Sequence, residues 1–301
     1  MRNWFFNSQQ GLRNGWWAMV FLVGLVIAGF LQVGANWVCK WLGVPGGVWM
    51  HSLGTFAVLG ATWAVLKLRH EGWASVGFAM KRNWARQFAC GAAIGIGQML
   101  LAVLMLRALG GVRLELDPTR SLQTLGPGLL MFLLVAIKEE ALFRGFLFQR
   151  LRDGIGLWPT QLLLALLFAA AHWMNPGMRG ATMLSASLGI FVSSLVFGLA
   201  YVRSNSLALP IGIHLGWNWM QGHVMGFGVS GVQLHGWFKP ILLDKPDWLT
   251  GAAFGIEASV LGVAVDLLLL LGLLLWKGSS GPVADSIRST NLQTQRAHYV
   301  G

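Results

Sequence analysis

The chain has 301 residues, of which 55% are hydrophobic and only 11% are charged, and its formal net charge is +11. Because a typical soluble domain carries about 25% charged residues, this composition excludes an ordinary soluble protein and predicts an integral membrane protein. The lysines and arginines are spread over short loops, which argues against nucleic-acid binding and favours contact with anionic lipid headgroups. The two cysteines, Cys39 and Cys90, lie in apolar runs and indicate neither a disulfide framework nor a CxxC metal site.

Apolar runs long enough to cross a bilayer recur along the chain, since a transmembrane helix needs about 20 mostly apolar residues. The first run follows a basic N-terminus, is flanked by tryptophans and lacks a clear small-residue cleavage site, so we interpret it as a retained span and not as a signal peptide. The sequence therefore predicts an all-α fold, a polytopic membrane helix bundle with about eight transmembrane helices. The predicted spans are residues 16–39, 48–66, 88–107, 126–150, 158–174, 183–202, 206–225 and 254–276.

The distribution of loop lysines and arginines predicts the orientation of this bundle. With the N-terminus inside, thirteen of these residues fall in cytoplasmic segments and seven fall on the other side. Positive charge is enriched in the cytoplasmic loops of membrane proteins. Both termini are therefore expected in the cytoplasm.

Four regions are expected along the chain. Residues 1–120 hold the first transmembrane helices and include a basic, mildly amphipathic surface segment at 67–87. Residues 121–225 form a core that carries most of the polar groups within spans. Residues 226–276 combine a loop or re-entrant segment with the last transmembrane helix, and the polar tail 277–301 is expected to be disordered.

Two pairs of glycines predict close helix contacts. Gly91 and Gly95 are four residues apart in the third span, and Gly212 and Gly216 are four apart in the seventh. Small residues at this spacing allow two helix backbones to approach each other. The pattern is common and indicates packing, not chemistry.

Three of the predicted spans contain ionisable residues, and span four contains the stretch KEEALFRG (138–145). An ionisable side chain at the centre of a bilayer costs about 3 kcal/mol or more, so this cluster indicates a functional site or a buried ion pair. Glu140 and Arg144 are four residues apart and can pair directly. Glu139 is rotated about 100° from Glu140, and nothing local is expected to pair with it. We interpret the Glu140–Arg144 pair as structural, Glu139 as a candidate functional carboxylate, and Lys138 as a residue without a role.

The other two spans carry pairs of residues at helical spacing. Phe168 and His172 are four residues apart near the end of span five, where a lone histidine is more often a packing residue than a catalytic one. His214 and Asn218 are four apart in span seven, so the imidazole and the carboxamide share one face. Together the three spans supply a carboxylate, two imidazoles and an amide. These groups can activate a water molecule and stabilise an oxyanion.

The ordered motifs resemble those of one protein family. EExxxR (139–144), FxxxH (168–172) and HxxxN (214–218), each in its own apolar span, are similar in type, order and spacing to the CPBP family. That family comprises the type II CAAX prenyl endopeptidases and the Abi, or bacteriocin-processing, proteins. The chain has no GxSxG and no HExxH motif. The resemblance covers roughly residues 120–225 and implies a hydrolase, an intramembrane endopeptidase that acts on a membrane-associated peptide or protein.

The resemblance also implies a set of catalytic residues. Glu139 would be the general base that activates water, and His172 would help to hold it. His214 and Asn218 would stabilise the oxyanion of the tetrahedral intermediate. The residues expected to give structural support are Glu140, Arg144 and Phe168.

Metal dependence is an alternative within this chemistry, because the family is described both as a metalloprotease family and as glutamate-dependent. Glu139, His172 and His214 could instead ligate a divalent metal such as zinc, with an open position for water. The chain offers a single free carboxylate and no closely spaced histidine pair on one helix. Metal-free chemistry is therefore favoured, with no other cofactor expected.

Two other classes of protein share these features. Buried Glu and His clusters also mark proton paths in proton-coupled transporters, but the chain shows no internal inverted repeat. A non-catalytic membrane protein, such as a bacteriocin-immunity or scaffold protein, would use the same groups only for binding. The expected location is the bacterial inner membrane. The expected partners are the lipid bilayer and a membrane-associated peptide or protein substrate.

Overall fold

In a computed structural model of the chain, described for residues 14–43, 48–80 and 82–278, the polypeptide is largely helical. The helices are α1 (Asn14–Trp41), α2 (Val48–Leu68), α3 (Trp84–Ala108), α4 (Leu122–Arg144), α5 (Phe146–Ile155), α6 (Leu157–Ala171), α7 (Gly180–Ser204), α8 (Ala208–Trp219), α9 (Asp247–Thr250) and α10 (Val260–Leu275). The other elements are strands β1 (Val112–Leu116) and β2 (Phe238–Leu242), 3-10 turns at Trp73–Val76 and Ile256–Ala258, and a π turn at Met220–Val224. The predicted all-α helix bundle is confirmed.

Helix length and apolarity show which helices can cross a bilayer. Within the described ranges, α1, α3 and α7 are both long and apolar enough. Helices α6 and α10 are apolar but only 15 and 16 residues long. The chain is thus an integral membrane protein, and the number of eight spans stays a prediction. Residues 1–13 and 279–301, which include nearly all of the expected tail, lie outside the described residues.

The predicted fourth span, residues 126–150, is not one helix, and that prediction is wrong. Helix α4 ends at Arg144, and α5 begins two residues later. Gly145 leaves the helical conformation, with φ −79° and ψ −124°, and a Cβ there would collide with the carbonyl one turn earlier. The apolar pattern continues across this break, so hydropathy alone does not reveal it. The break places Glu139 in the last two turns of α4.

The C-terminal half of α4 is set in an apolar core. Phe132 and Ala136 of α4 pack in one cluster with Phe146 and Phe148 of α5, and all four are at most 4% exposed. Polar groups that enter such surroundings lose their hydration and must be compensated by other protein groups. The charges at the end of α4 therefore depend on partners from neighbouring helices.

Helices α3 and α8 approach each other through their glycines. Gly91 and Gly95 of α3 face Gly212 and Gly216 of α8, and a Cβ at any of the four would overlap backbone atoms of the other helix. This is the close approach that the glycine spacing predicts. Because α8 carries both polar residues of the HxxxN motif, the α3–α8 contact positions that motif.

Gly95→Ala is expected to destabilise the protein by about 1–3 kcal/mol, the usual cost of overpacking. The added methyl group would meet the carbonyl oxygen of Ile213, a backbone atom that cannot rotate away. Gly97 lies on the same helix with no neighbour within 4 Å, so Gly97→Ala is the matched control and should be neutral or slightly stabilising. Thermal unfolding in detergent measures the difference. Equal melting temperatures for the two variants would contradict the glycine contact.

A two-stranded antiparallel sheet joins the loop after α3 to the region after α8. Strands β1 and β2 pair from Val112 opposite Leu242 to Leu116 opposite Phe238. The sequence predicts no strand here, only a loop or re-entrant segment before the last helix in 226–276. Both strands are five residues long and lie far apart in the chain, so no local pattern indicates their pairing.

Candidate active site

The four residues predicted to be catalytic line one cavity of about 470 Å³. Glu139 reaches it from α4 and His172 from the end of α6, and His214 and Asn218 reach it from α8. This volume lies in the range of about 300–1,000 Å³ that small-molecule sites usually occupy. The fold thus brings together side chains that the sequence places on three separate helices.

Glu140 and Arg144 form a buried ion pair on one face of α4. Arg144 Nη1 lies 3.2 Å from Glu140 Oε1, and the two side chains are 2% and 0% exposed. Arg144 Nη2 also donates to Ser194 of α7, at 2.9 Å to its carbonyl oxygen and 2.6 Å to its hydroxyl. The pair therefore joins α4 to α7 through charge-assisted hydrogen bonds.

Aromatic rings surround the guanidinium of Arg144. It lies over the rings of Phe168 and Phe197, 4.8 and 5.3 Å from their centroids. Within about 6 Å such contacts are attractive. Phe168 also packs against the imidazoles of His172 and His214, with centroids 4.9 and 6.4 Å apart. Phe168 consequently contacts the buried ion pair and both histidines of the cavity.

Glu139 has a neighbour to which the sequence analysis gave no role. Lys138 Nζ lies 3.5 Å from Glu139 Oε1, so the expectation that nothing local pairs with Glu139 is wrong. Adjacent residues diverge around a helix, but the long lysine side chain passes close to Gly54 of α2 and brings its ammonium group back to Glu139. The two side chains are 30% and 17% exposed, and both line the cavity.

His214 lies between two carboxylates. Its Nδ1 is 3.0 Å from Glu140 Oε1, and its Nε2 is 3.8 Å from Glu139 Oε2. Because the Glu140 carboxylate also accepts from an arginine, Nδ1 is the donor, which leaves Nε2 facing Glu139. The imidazole stacks on Phe197 at 4.8 Å and 10°, which fixes the plane of the ring. Glu140 therefore orients His214. The sequence predicted only a structural role for Glu140, in its pair with Arg144, and did not predict this contact.

His172 follows the last residue of α6. Its Nδ1 lies 2.7 Å from the Phe168 carbonyl oxygen. A carbonyl oxygen only accepts, so Nδ1 donates and Nε2 is the remaining ring nitrogen. His172 is within electrostatic range of Glu139 and of Glu257 in the turn before α10. Among the described contacts it makes no hydrogen bond to Glu139, so any effect on that carboxylate acts over a longer distance.

Comparison with known proteins assigns the part of the chain that carries these residues. Residues 121–220 match the family model described as Rce1-like, type II CAAX prenyl endopeptidase. This match agrees with the resemblance to the CPBP family that the three motifs predict for the same part of the chain. A curated Escherichia coli protein, "Uncharacterized 24.3 kDa protein", is 32% identical over 89 residues, which are 29% of this chain and 38% of that protein. The chain thus spans well under half of this relative's length, and no solved structure matches it.

The donor set of the Rce1-like segment does not form a metal centre in this structure. Within the described residues, no three His, Cys, Asp or Glu side chains are grouped so that they could hold one ion. Glu139 and His214 approach to 3.8 Å, but His172 does not complete a group of three. The zinc site considered from the resemblance therefore stays a prediction.

The cavity extends beyond the Rce1-like segment to polar residues that the sequence analysis missed. Gln98 of α3 and Asp266 of α10 line it, together with Ser193 of α7. Asp266 is 7% exposed and accepts a hydrogen bond from Gln98 Nε2 at 3.0 Å. The expectation of three spans with ionisable residues is therefore wrong. The single aspartate in the apolar run GVAVDLLLLLG was the signal that could have identified a fourth.

A second buried carboxylate, Glu257, organises the loop that closes one side of the cavity. It accepts hydrogen bonds from Gln221 Nε2 at 2.5 Å and from Ser230 Oγ at 2.9 Å, as well as from the Ser230 amide. Ser230 and its neighbour Val229 line the cavity. Glu257 therefore holds this loop against the turn that precedes α10.

Proposed function

We propose that this protein is an intramembrane endopeptidase that hydrolyses a peptide bond of a membrane-associated substrate with water activated by Glu139. The observation that carries the proposal is the convergence of three motifs on one cavity, within the segment that matches the Rce1-like family model. The family description suggests prenylated CAAX sequences as a substrate class. We place the protein in the bacterial inner membrane with both termini in the cytoplasm, on the basis of its loop charges.

Glu139 is positioned to act as the general base. A water molecule hydrogen-bonded to both Glu139 Oε2 and His214 Nε2 fits their separation of 3.8 Å. Glu139 accepts a proton from this water as its oxygen attacks the carbonyl carbon of the peptide bond. The same proton passes to the leaving nitrogen when the C–N bond breaks. Lys138, 3.5 Å from Glu139 Oε1, balances the negative charge of the carboxylate.

His214 and Asn218 are the proposed donors to the oxyanion. Both lie on one face of α8 and line the cavity. The Asn218 carboxamide and a proton on His214 Nε2 would stabilise the negative charge that develops on the carbonyl oxygen. Removing one such donor typically lowers kcat by about 10²–10³-fold. Glu140 accepts a hydrogen bond from Nδ1 and so keeps the ring in place.

The proposal is tested with the full-length protein in phospholipid vesicles. The substrates are fluorescent peptides that end in a CAAX sequence, with and without a farnesyl group, and mass spectrometry identifies the products. We expect cleavage at a single bond of at least one peptide. Binding of both peptides without cleavage of either would support a non-catalytic function instead. The natural substrate is then sought by comparing membrane peptides from cells that produce the wild type or Glu139→Gln.

The same preparation tests the metal-free mechanism. We expect metal analysis of the active protein to find no stoichiometric zinc and a chelator to leave the cleavage rate unchanged. Stoichiometric zinc, with activity that is lost on chelation and restored by added zinc, would contradict this mechanism. In that case Glu139 would accept a proton from a metal-bound water.

A further inference from the structure

A cluster of polar side chains forms the part of the cavity wall where α3, α7 and α10 meet. Gln98 Nε2 donates to Asp266 Oδ1 at 3.0 Å and to the Val265 carbonyl oxygen at 3.3 Å. The second Asp266 oxygen is hydrogen-bonded to Ser193 Oγ. Gln98 and Asp266 lie outside residues 121–220, so the Rce1-like family match assigns them no role.

The orientation of the Gln98 amide follows from its contact with Val265. A backbone carbonyl oxygen can only accept, so Nε2 must face Val265 and Oε1 must point away from it. Within the described residues, Gln98 Oε1 is buried and has no hydrogen-bond partner. Leaving a buried acceptor unpaired costs free energy, and most such groups in folded proteins are satisfied. Because Gln98 lines the cavity, an N–H group of a ligand bound beside it is a candidate for the missing donor.

A purely structural role explains only part of this cluster. Asp266 does join α10 to α3 and α7, as a brace between helices would. The Glu140–Arg144 brace, however, is sealed and does not line the cavity, whereas Gln98 and Asp266 both line it. A brace also gives no reason for an unused acceptor on Gln98.

We propose that Gln98 binds the backbone of the peptide substrate, with its Oε1 accepting a hydrogen bond from a backbone N–H of an extended segment in the cavity. Inside a membrane an extended peptide has neither water nor a helix to satisfy its N–H groups, so the protein must provide acceptors. Asp266 and Ser193 are positioning residues that hold the amide. The inference rests on the proposed endopeptidase function, because the peptide in the cavity is the substrate of that reaction.

The test measures binding and cleavage separately. The probe is a fluorescent peptide ending in a farnesylated CAAX sequence. Its Kd is measured on full-length protein carrying Glu139→Gln, and its cleavage is measured on protein with Glu139 intact. Gln98→Met keeps the length of the side chain but removes both polar groups. We expect Kd and KM to rise about tenfold, with kcat changed less than about twofold.

Gln87→Met is the matched control. Gln87 lies on the same helix, donates to the Ser204 carbonyl oxygen at 3.2 Å and is not among the residues that line the cavity. Its substitution should leave Kd and KM unchanged. If Gln98→Met binds the probe as tightly as Gln87→Met does, the inference is wrong. Gln98→Asn, which withdraws the amide by one methylene, serves as a second variant if Gln98→Met does not accumulate.

A chemical change in the probe separates recognition from folding. In a series of peptides, one backbone N–H at a time is replaced by N-methyl. At one position, N-methylation should weaken binding to the protein with Gln98 about tenfold. The same N-methylation should not weaken binding to Gln98→Met any further, as expected when the N–H and Gln98 are the two partners of one contact. Equal losses in both proteins at every position would overturn the inference. If the wild type binds the probe through Gln98 but does not cleave it, the Gln98 contact stands and the endopeptidase proposal fails.

Discussion

Glu139→Gln is expected to abolish peptide cleavage while the protein remains folded. Glutamine has nearly the same shape as glutamate but cannot accept a proton from the attacking water. We expect kcat to fall by at least about 10²–10⁴-fold, the usual contribution of general acid–base catalysis, with KM nearly unchanged. Initial rates of peptide cleavage by purified protein in vesicles measure both constants.

The control for this substitution is a glutamate that does not line the cavity. Glu115 of β1 is 50% exposed and pairs with Arg113 at 3.0 Å, an exposed ion pair that contributes little to stability. Glu115→Gln should therefore cleave at the wild-type rate. Because Glu139 contacts Lys138, the melting temperature of Glu139→Gln must also be compared with that of the wild type. If folded Glu139→Gln protein cleaves the peptide at the wild-type rate, Glu139 is not the general base.

Helical spacing predicts which side chains share a face, and on α4 it separates two adjacent carboxylates. Glu140 lies on the face of Arg144 and is fully buried, whereas Glu139 opens to the cavity. The same reasoning could not predict that His214 lies between them, because that contact depends on how α8 packs on α4. Nor could it predict that the Lys138 side chain returns to Glu139. Periodicity describes one helix at a time, whereas the site is made between helices.

The other differences from the sequence-based predictions also have physical causes. Gly145 ends α4 by its backbone conformation, while the apolar residues around it continue the pattern of a span. The pairing of β1 with β2 joins distant parts of the chain and leaves no local periodicity. Asp266 differs from the helix break and the strand pairing, because a single carboxylate in an apolar helix is visible in the sequence. It was not predicted as a site residue because it lies outside the three motifs.

Arg144→Met is expected to destabilise the protein by about 3–5 kcal/mol. This is the usual cost of removing one partner of a buried ion pair and leaving the other charge buried. The change removes the guanidinium that pairs with Glu140, together with both hydrogen bonds to Ser194. Thermal or denaturant unfolding in detergent measures the loss. Arg113→Met is the matched control, because Arg113 is 65% exposed in its ion pair and its substitution should have little effect.

A double substitution separates the ion pair from the active site. Combining Arg144→Met with Glu140→Gln removes the uncompensated charge, so the double variant should be more stable than Arg144→Met alone. Activity should not recover in parallel, because the neutral amide cannot supply the negative charge that Glu140 Oε1 places 3.0 Å from His214 Nδ1. A double variant that regains both stability and full kcat would show that Glu140 serves only the ion pair. Recovered stability with low kcat would show that the same carboxylate braces α4 and orients the catalytic imidazole.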